Sequence, residues 1–386
     1  MLRSSLPVPF RIALRLRDHG AHTVSGLAQA LDLSRTSVET ALTPLLESGL
    51  VADAPATAAK GAGRPARRFA FSAAGGLVLG VDVGVHSVRV VLSDLAGTVV
   101  AHHAAAGLDP ADVGATQLHD LVAHVRRALA EAGRDAADVR AIGIALPGIV
   151  DDQGRVVASV VLPTWSGIDV AAHMRDTFSC PVVIDNGVRL AAVAEHHLGA
   201  ARLVDEVLYL SVGNRVAAGL ILGGQPRRGV HNVAGDIGRL AFRGWDAQTG
   251  QIQWRTGDSA ETVFRAAEQG DTAAREELTA FVDELARGIA TLVMAVDPAL
   301  VVVGGGVSLA RERLLAPLRE AVARRIGLPF EIPLVAARLG ADAAAHGALV
   351  FAFTRSAEQI YGIGSMPPPQ IIPLDAEAAA VASATP

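Results

Sequence analysis

Residues 77–106 read LVLGVDVGVHSVRVVLSDLAGTVVAHHAAA. Leu77–Gly84 is an apolar run closed by glycine, Ser87–Gly97 alternates and turns at Asp94–Gly97, and Thr98–Ala106 is extended again. β-Branched residues at this density, punctuated by turn residues, predict three strands in succession. Residues 115–137 carry apolar positions at helical spacing and predict an amphipathic helix. VRAIGIALPGIV, residues 139–150, predicts a further buried strand that ends at Pro147-Gly148. The order is β-β-β-α-β, with Asp82 at the end of the first strand. The chain is therefore α/β from residue 77 onward.

The segment before it has a different character. Up to residue 70 there are nine basic and five acidic residues, and beyond it 25 basic and 34 acidic. A basic head on an acidic body points to a nucleic-acid-binding module. Residues 8–19 predict a helix ended by Gly20, and residues 24–31 a short second helix. A third runs from Arg35 to about Ser48, with Ser34 as a hydroxyl N-cap. TVSGLAQALDLSRTSVETALTPLLESGLV, residues 23–51, has the turn spacing of a helix-turn-helix. Its third helix presents Arg35, Thr36, Ser37, Glu39 and Thr40, with Ser34 before them, as the residues to meet base edges and phosphates. Pro44 removes one backbone bond and is expected to bend that helix. A returning hairpin over residues 51–70 reads as a wing, with Arg64, Arg67 and Arg68 along the phosphate backbone. Gly63-Arg64-Pro65 is similar to an AT-hook core, which places arginine in a narrow minor groove. A three-helix packing module with a plain basic linker is the alternative.

Composition closes off other classes. Cys180 is the one cysteine, which excludes an intramolecular disulfide framework and a cysteine-cluster metal site. No apolar run reaches the roughly 18–20 residues of a membrane span. No signal-peptide pattern follows Met1, so the expected location is cytoplasmic. His102-His103 and His196-His197 are adjacent pairs whose side chains diverge, and neither predicts a metal site.

The β-β-β-α-β order resembles the actin-like ATPase (ribonuclease H-like) fold of sugar kinases. The resemblance sharpens over residues 142–159 (IGIALPGIVDDQGRVVAS), 181–201 (PVVIDNGVRLAAVAEHHLGAA), 208–242 (LYLSVGNRVAAGLILGGQPRRGVHNVAGDIGRLAF) and 297–307 (DPALVVVGGGV). With the helix-turn-helix they resemble the ROK family (repressor, open reading frame, kinase). This implies a winged helix-turn-helix over 1–72, a first actin-like lobe over 73–185 and a second over 186–340. A C-terminal helix over 341–363 would return to the first lobe. The tail over 364–386, with Pro367-Pro368-Pro369 and Ala, Ser and Thr after it, reads by its composition as disordered. The implied partners are a double-stranded DNA operator, a carbohydrate-like effector and further copies in a homodimer or dimer of dimers.

Departures from the resemblance define the expected chemistry. Family kinases carry Asn-Asp-x-Asn, whose Asp takes the proton from the sugar hydroxyl. The stretch here is Asn186-Gly187-Val188-Arg189, with no side chain at the base position. The first phosphate loop, Asp-x-Gly-Gly-Thr-Lys in the family, is Asp82-Val83-Gly84-Val85-His86-Ser87. The second, Gly-Thr-Gly, is Gly213-Asn214-Arg215. Val161 stands where the family has Asn, Asp236 where it has Glu and Arg239 where it has His. The cysteine-rich zinc loop is replaced by FRGWDAQTGQIQWRTGD, so neither a structural metal nor a cofactor is expected. Asn186, Arg189, Arg215, Asp236 and Arg239 remain as candidate ligand contacts. Their three arginines suit an anionic effector, unless they close the cleft by pairing with carboxylates. The expected function is a DNA-binding regulator, with repression the family's commoner mode and kinase activity lost. An active sugar kinase with a DNA-binding head and a regulator with no effector are the alternatives.

Overall fold

The computed structural model describes residues 6–55, 66–238, 250–329, 331–364 and 366–374. In the head, α1 (Val8–His19), α2 (Val24–Leu31) and α3 (Arg35–Glu47) pack through Ile12, Leu16, Leu27, Val38, Leu42 and Leu45, all buried. The Thr23 hydroxyl caps α2 by accepting from Gly26 N at 3.0 Å, and the Ser34 hydroxyl caps α3 from Ser37 N at 3.0 Å. α3 continues through Pro44 for one more turn, where Leu45 is held in the core. β1 (His22–Thr23), β2 (Val51–Ala54) and β3 (Arg68–Phe71) form an antiparallel sheet in the order β1-β3-β2. β1 lies between α1 and α2, and β2 and β3 return after α3.

The body holds two five-stranded sheets built alike. In the first, β4 (Leu77–Val83), β5 (Ser87–Asp94) and β6 (Val99–Ala106) run antiparallel, while β7 (Val139–Leu146) and β10 (Val182–Asn186) extend the other side of β4 in parallel. α4 (Gly114–Glu131) and α5 (Val170–Phe178) belong to this lobe, and the short hairpin β8 (Ile149–Val150) and β9 (Val156–Ala158) follows β7. In the second, β11 (Val207–Val212), β12 (Val216–Leu222) and β13 (Gln225–Pro226) are antiparallel, with β14 (Leu300–Gly304) and β15 (Leu334–Ala336) parallel on the far side of β11. α7 (Ala260–Glu268), α8 (Thr272–Val296) and α9 (Glu312–Ile326) accompany that sheet.

Between the sheets lie α6 (Gly187–His197) and α10 (Ala343–Arg355), with α11 (Ala357–Tyr361) next in the chain. α10 is buried on nearly every face, from Ala345 to Val350. Its backbone approaches the first sheet where side chains are missing. A Cβ on Gly80 would lie 2.1 Å from Ala345 O, and one on Gly143 would lie 1.9 Å from Ala348 O. On its other side a Cβ at Gly347 would lie 1.8 Å from Leu190 O of α6.

Two expectations are corrected. α4 ends at Glu131 rather than at residue 137, because Gly133 enters the left-handed region at φ 64° and Arg134 N bonds back to Leu129 O at 2.9 Å. The tail is not disordered from Gly364 onward. Met366 and Ile371 are buried, and Ile372 exchanges bonds of 2.9 Å with Gly97 O and Val99 N at the β5–β6 turn. Residues 375–386 lie outside the described residues. The same tail meets the head, since Arg17 donates to Pro367 O at 2.9 Å.

No helix among the described residues is long and apolar enough to cross a membrane. Replacing Gly347 with Ala is expected to destabilise the chain by about 1–3 kcal/mol or more, since backbone rather than a mobile side chain occupies the added methyl's place. A lower urea midpoint at unchanged slope checks it.

Candidate functional site

A cleft of 490 Å³ opens between the lobes. β4 delivers Asp82 to it, the β4–β5 turn His86 and Ser87, and the start of α6 Asn186 and Val188. The β11–β12 turn adds Asn214 and Arg215, and the following loop Asp236. Ile149, Val160 and Val161 line the wall after β7. A neighbouring cavity of 280 Å³ shares Asp82, Asn186 and Ser211 and reaches Gly305 and Gly340.

Asp82 makes no side-chain hydrogen bond among the described residues. Burial pushes its carboxyl up to about 7; Arg89 opposes the shift and Asp342 adds to it. Arg89 is itself paired with Asp342 at 3.1 Å, which weakens its hold on Asp82. Asn186 keeps one amide N–H unbonded among the described residues. Its Oδ1 accepts from Val188 N and Arg189 N at 2.9 and 3.2 Å, and its Nδ2 donates to Gly148 O at 2.9 Å. The helix cap that orders the start of α6 thus occupies an amide expected to face ligand.

Gly187 opens α6. A Cβ there would stand 3.9 Å from Asp82 Oδ1 and 3.7 Å from Leu146 O, so a side chain fits. The two loops expected to hold phosphate meet each other instead. The Asn214 amide donates to His86 Nε2 at 3.2 Å across the cleft.

The three candidate arginines separate. Arg189 does not reach the cleft: it is 3% exposed and its guanidinium pairs with Asp185, itself 2% exposed, while donating to Asn232 O at 3.0 Å. One helical turn after Asp185, Arg189 falls back over that carboxylate. Arg228, which the sequence reading missed, completes the cluster. Its Nε lies 3.3 Å from Asp185 Oδ2 and its Nη1 donates to Asp152 at 3.0 Å, so it ties the second lobe to the first. The acidic pair Asp151-Asp152 and the arginine pair 227–228 were the available signal. Arg215 lines the cleft and is engaged within the protein. Arg239 lies outside the described residues. Asp236 is exposed on the cleft wall with no side-chain partner among the described residues.

On the head, Ser34, Arg35, Thr36, Ser37, Glu39 and Thr40 are all exposed, while Val38 among them and Ala41 after them are buried. Two of the wing arginines have partners within the protein. Arg67 donates to both oxygens of Asp53 at 2.5 and 2.8 Å, which neutralises it locally and holds the Asp53 carboxyl below its ordinary range. Arg68 donates to Ala21 O at 2.7 Å and ties the wing to the turn before α2, so it is a structural strut. Arg64 lies outside the described residues. Among the described residues no three His, Cys, Asp or Glu side chains are grouped to hold a metal. Burial pushes the Cys180 thiol up to about 12, which leaves it unreactive near neutral pH.

Comparison with known proteins gives the family. The ROK family matches residues 78–250 and 242–355, more than half of the chain, and the chain belongs to it. It is 23% identical over 332 residues to a xylose repressor of Caldicellulosiruptor bescii, covering 78% of this chain and 83% of that protein. A ROK hexokinase from Thermus thermophilus is 28% identical, with a TM-score of 0.61, over 73% of this chain and 99% of that one. A ROK transcriptional regulator described as a homologue of the E. coli MLC protein superposes with a TM-score of 0.68 over 93% of this chain and 97% of that one, at 20% identity. The shared two-lobed actin-like fold is thus common to kinases and regulators.

Two outcomes are expected. Arg189→Met leaves buried Asp185 one ion-pair partner short and costs about 3–5 kcal/mol in chemical unfolding. Because Asp82 binds its proton more tightly folded (about 7) than at its ordinary 3.8, stability rises as pH falls through 7 toward 4. Asp82→Asn removes that part of the pH dependence, read from melting temperatures across the same range.

Proposed function

We propose that this ROK-family chain is a DNA-binding transcriptional repressor whose kinase-like body senses a small molecule and no longer transfers phosphate. The observation that carries the repressor reading is the exposed polar set Arg35, Thr36, Ser37, Glu39 and Thr40 on a capped third helix, packed on a body of this family. In this division the head (1–72) reads an operator, the lobes (73–185 and 186–340) bracket the cleft and the helix over 341–363 joins them. Two heads in a homodimer, or four in a dimer of dimers, would read an inverted repeat. Arg35 supplies the guanidinium fork for a guanine edge or a phosphate. Its side chain makes no ion pair or hydrogen bond among the described residues.

The loss of phosphotransfer rests on Gly187 and on the His86–Asn214 contact. No carboxylate stands at the base position, and the phosphate loops engage each other. The repressor relatives name xylose, which makes pentoses the first sugars to test as effectors.

Binding to the DNA upstream of its own gene is expected to be selective over random DNA and to weaken steeply with salt. Arg35→Ala is expected to reduce selective binding by about 1–3 kcal/mol. Equal affinity of the wild-type protein for both DNAs at every salt concentration would sink the reading of Arg35–Thr40 as a sequence-reading surface. Phosphorylation of glucose or xylose by the wild-type chain at a rate matching a Gly187→Asp variant would sink the loss of phosphotransfer.

A further inference from the structure

The cleft's polar groups differ in how far they are already bonded, and Ser87 and Ser211 add hydroxyls to the wall. Asn186 is held by α6 and Gly148, and Asn214 by His86. Asp82 and Asp236 remain without side-chain hydrogen bonds among the described residues. Aliphatic side chains form much of the remaining wall, with Val85, Ile149, Val160, Val161 and Val188 among them. Val160 is 47% exposed, an aliphatic group left in water at the cleft.

This distribution argues against the anionic effector that the sequence suggested. Arg189 is buried on Asp185, and Arg228 is turned to Asp152 and Asp185. Arg215 lines the cleft, is engaged within the protein, and shares the cavity with two carboxyl groups. Neither carboxyl group offers a phosphate a countercharge in this partly desolvated site. A bare polyol would leave the aliphatic wall uncovered, whatever its hydroxyls meet among the amides and the Ser87 and Ser211 hydroxyls.

We propose that the cleft takes a neutral polyol bearing an aryl or alkyl substituent. Its hydroxyls donate to Asp82 and Asp236, and its apolar part covers the aliphatic wall at Ile149, Val160 and Val161. The proposal rests on the reading of the cleft as an effector site and names the class of ligand that the site selects. Carboxyl oxygens accept from hydroxyls without requiring a countercharge, and the aliphatic wall gains only from a ligand with an apolar face.

Titration calorimetry of the full-length protein with glucose, xylose, their phenyl β-glycosides and glucose 6-phosphate tests it. At least one phenyl glycoside is expected to bind about tenfold more tightly than its parent sugar, with no binding of the phosphate. Val160→Ser, at an exposed position, is expected to reduce that preference to about threefold or less. Asp236→Asn is expected to weaken the phenyl glycoside while leaving the melting temperature unchanged. Equal affinity for glycoside and parent, or tighter binding of glucose 6-phosphate, overturns the proposal and leaves the effector reading standing. Silence with every probe overturns both, while selective DNA binding, measured separately, still decides the repressor reading.

Discussion

The close approach of α10 to its neighbours is the constraint on which the body depends. Gly80 and Gly143 let the helix backbone sit against β4 and β7, and Gly347 lets it meet α6. α6 in turn packs on β12, where a Cβ on Gly219 would lie 2.7 Å from the Ala192 methyl. Five elements are thus stacked in close contact across the join between the lobes. Such packing tolerates little independent sliding, because no long side chain can re-rotamer to absorb it. The cleft is formed from the ends of the same elements: Asp82 from β4, Asn186 at the start of α6, and the turns after β7 and β11. Its width is set by the stack beneath it.

The buried cluster at Asp185 adds a polar restraint to this apolar one. One carboxylate serves two guanidiniums, on α6 and on the loop after β13. Burial pulls Arg189 below its ordinary range, Asp185 restores part of that, and Arg228 works against it. A lone arginine in that position would be costly; the shared carboxylate and the Asn232 carbonyl make it tolerable. Arg228 also reaches Asp152, in the β8–β9 hairpin of the first lobe, so the cluster ties both lips of the cleft. Residues that read in sequence as ligand contacts therefore hold the cleft's shape.

What was legible follows from how far each signal reaches. The strands of the first lobe were readable because β-branched runs and their turn residues are local. The head was readable because apolar spacing and the Ser34 cap on a short helix are local signals. Arg189, Arg67 and Arg68 were not, because each has its partner fixed by tertiary geometry or strand register. Arg67 meets Asp53 only once β2 and β3 pair, and Arg68 meets Ala21 only once β1 joins them. Gly364-Ser365 and the three prolines at 367–369 read as disorder by composition. Burial of Met366 and Ile371 overrides that in the described tail. Proline limits helix and sheet, but it does not prevent an extended segment from lying in a groove.

That tail bears on how a signal in the cleft could reach DNA. Coupling between two sites requires a physical connection with a differential free energy between states, and distance alone supplies neither. A contiguous path exists here. α10 rests on the strands that carry Asp82, and α11 follows it with Tyr361 buried between Phe71 of the wing and Phe353 of α10. The Tyr361 hydroxyl donates to Leu95 O at 3.2 Å, and Arg17 of α1 reaches the Tyr361 hydroxyl at 3.4 Å and Pro367 O at 2.9 Å. A Cβ on Gly364 would lie 2.5 Å from the ring of Phe10. The head is therefore seated on the body through aromatic rings, a buried arginine and close backbone contact, rather than hung from a flexible linker. A shift of α10 against the first sheet would have to be accommodated at Tyr361 and α1, the element against which the exposed third helix is packed.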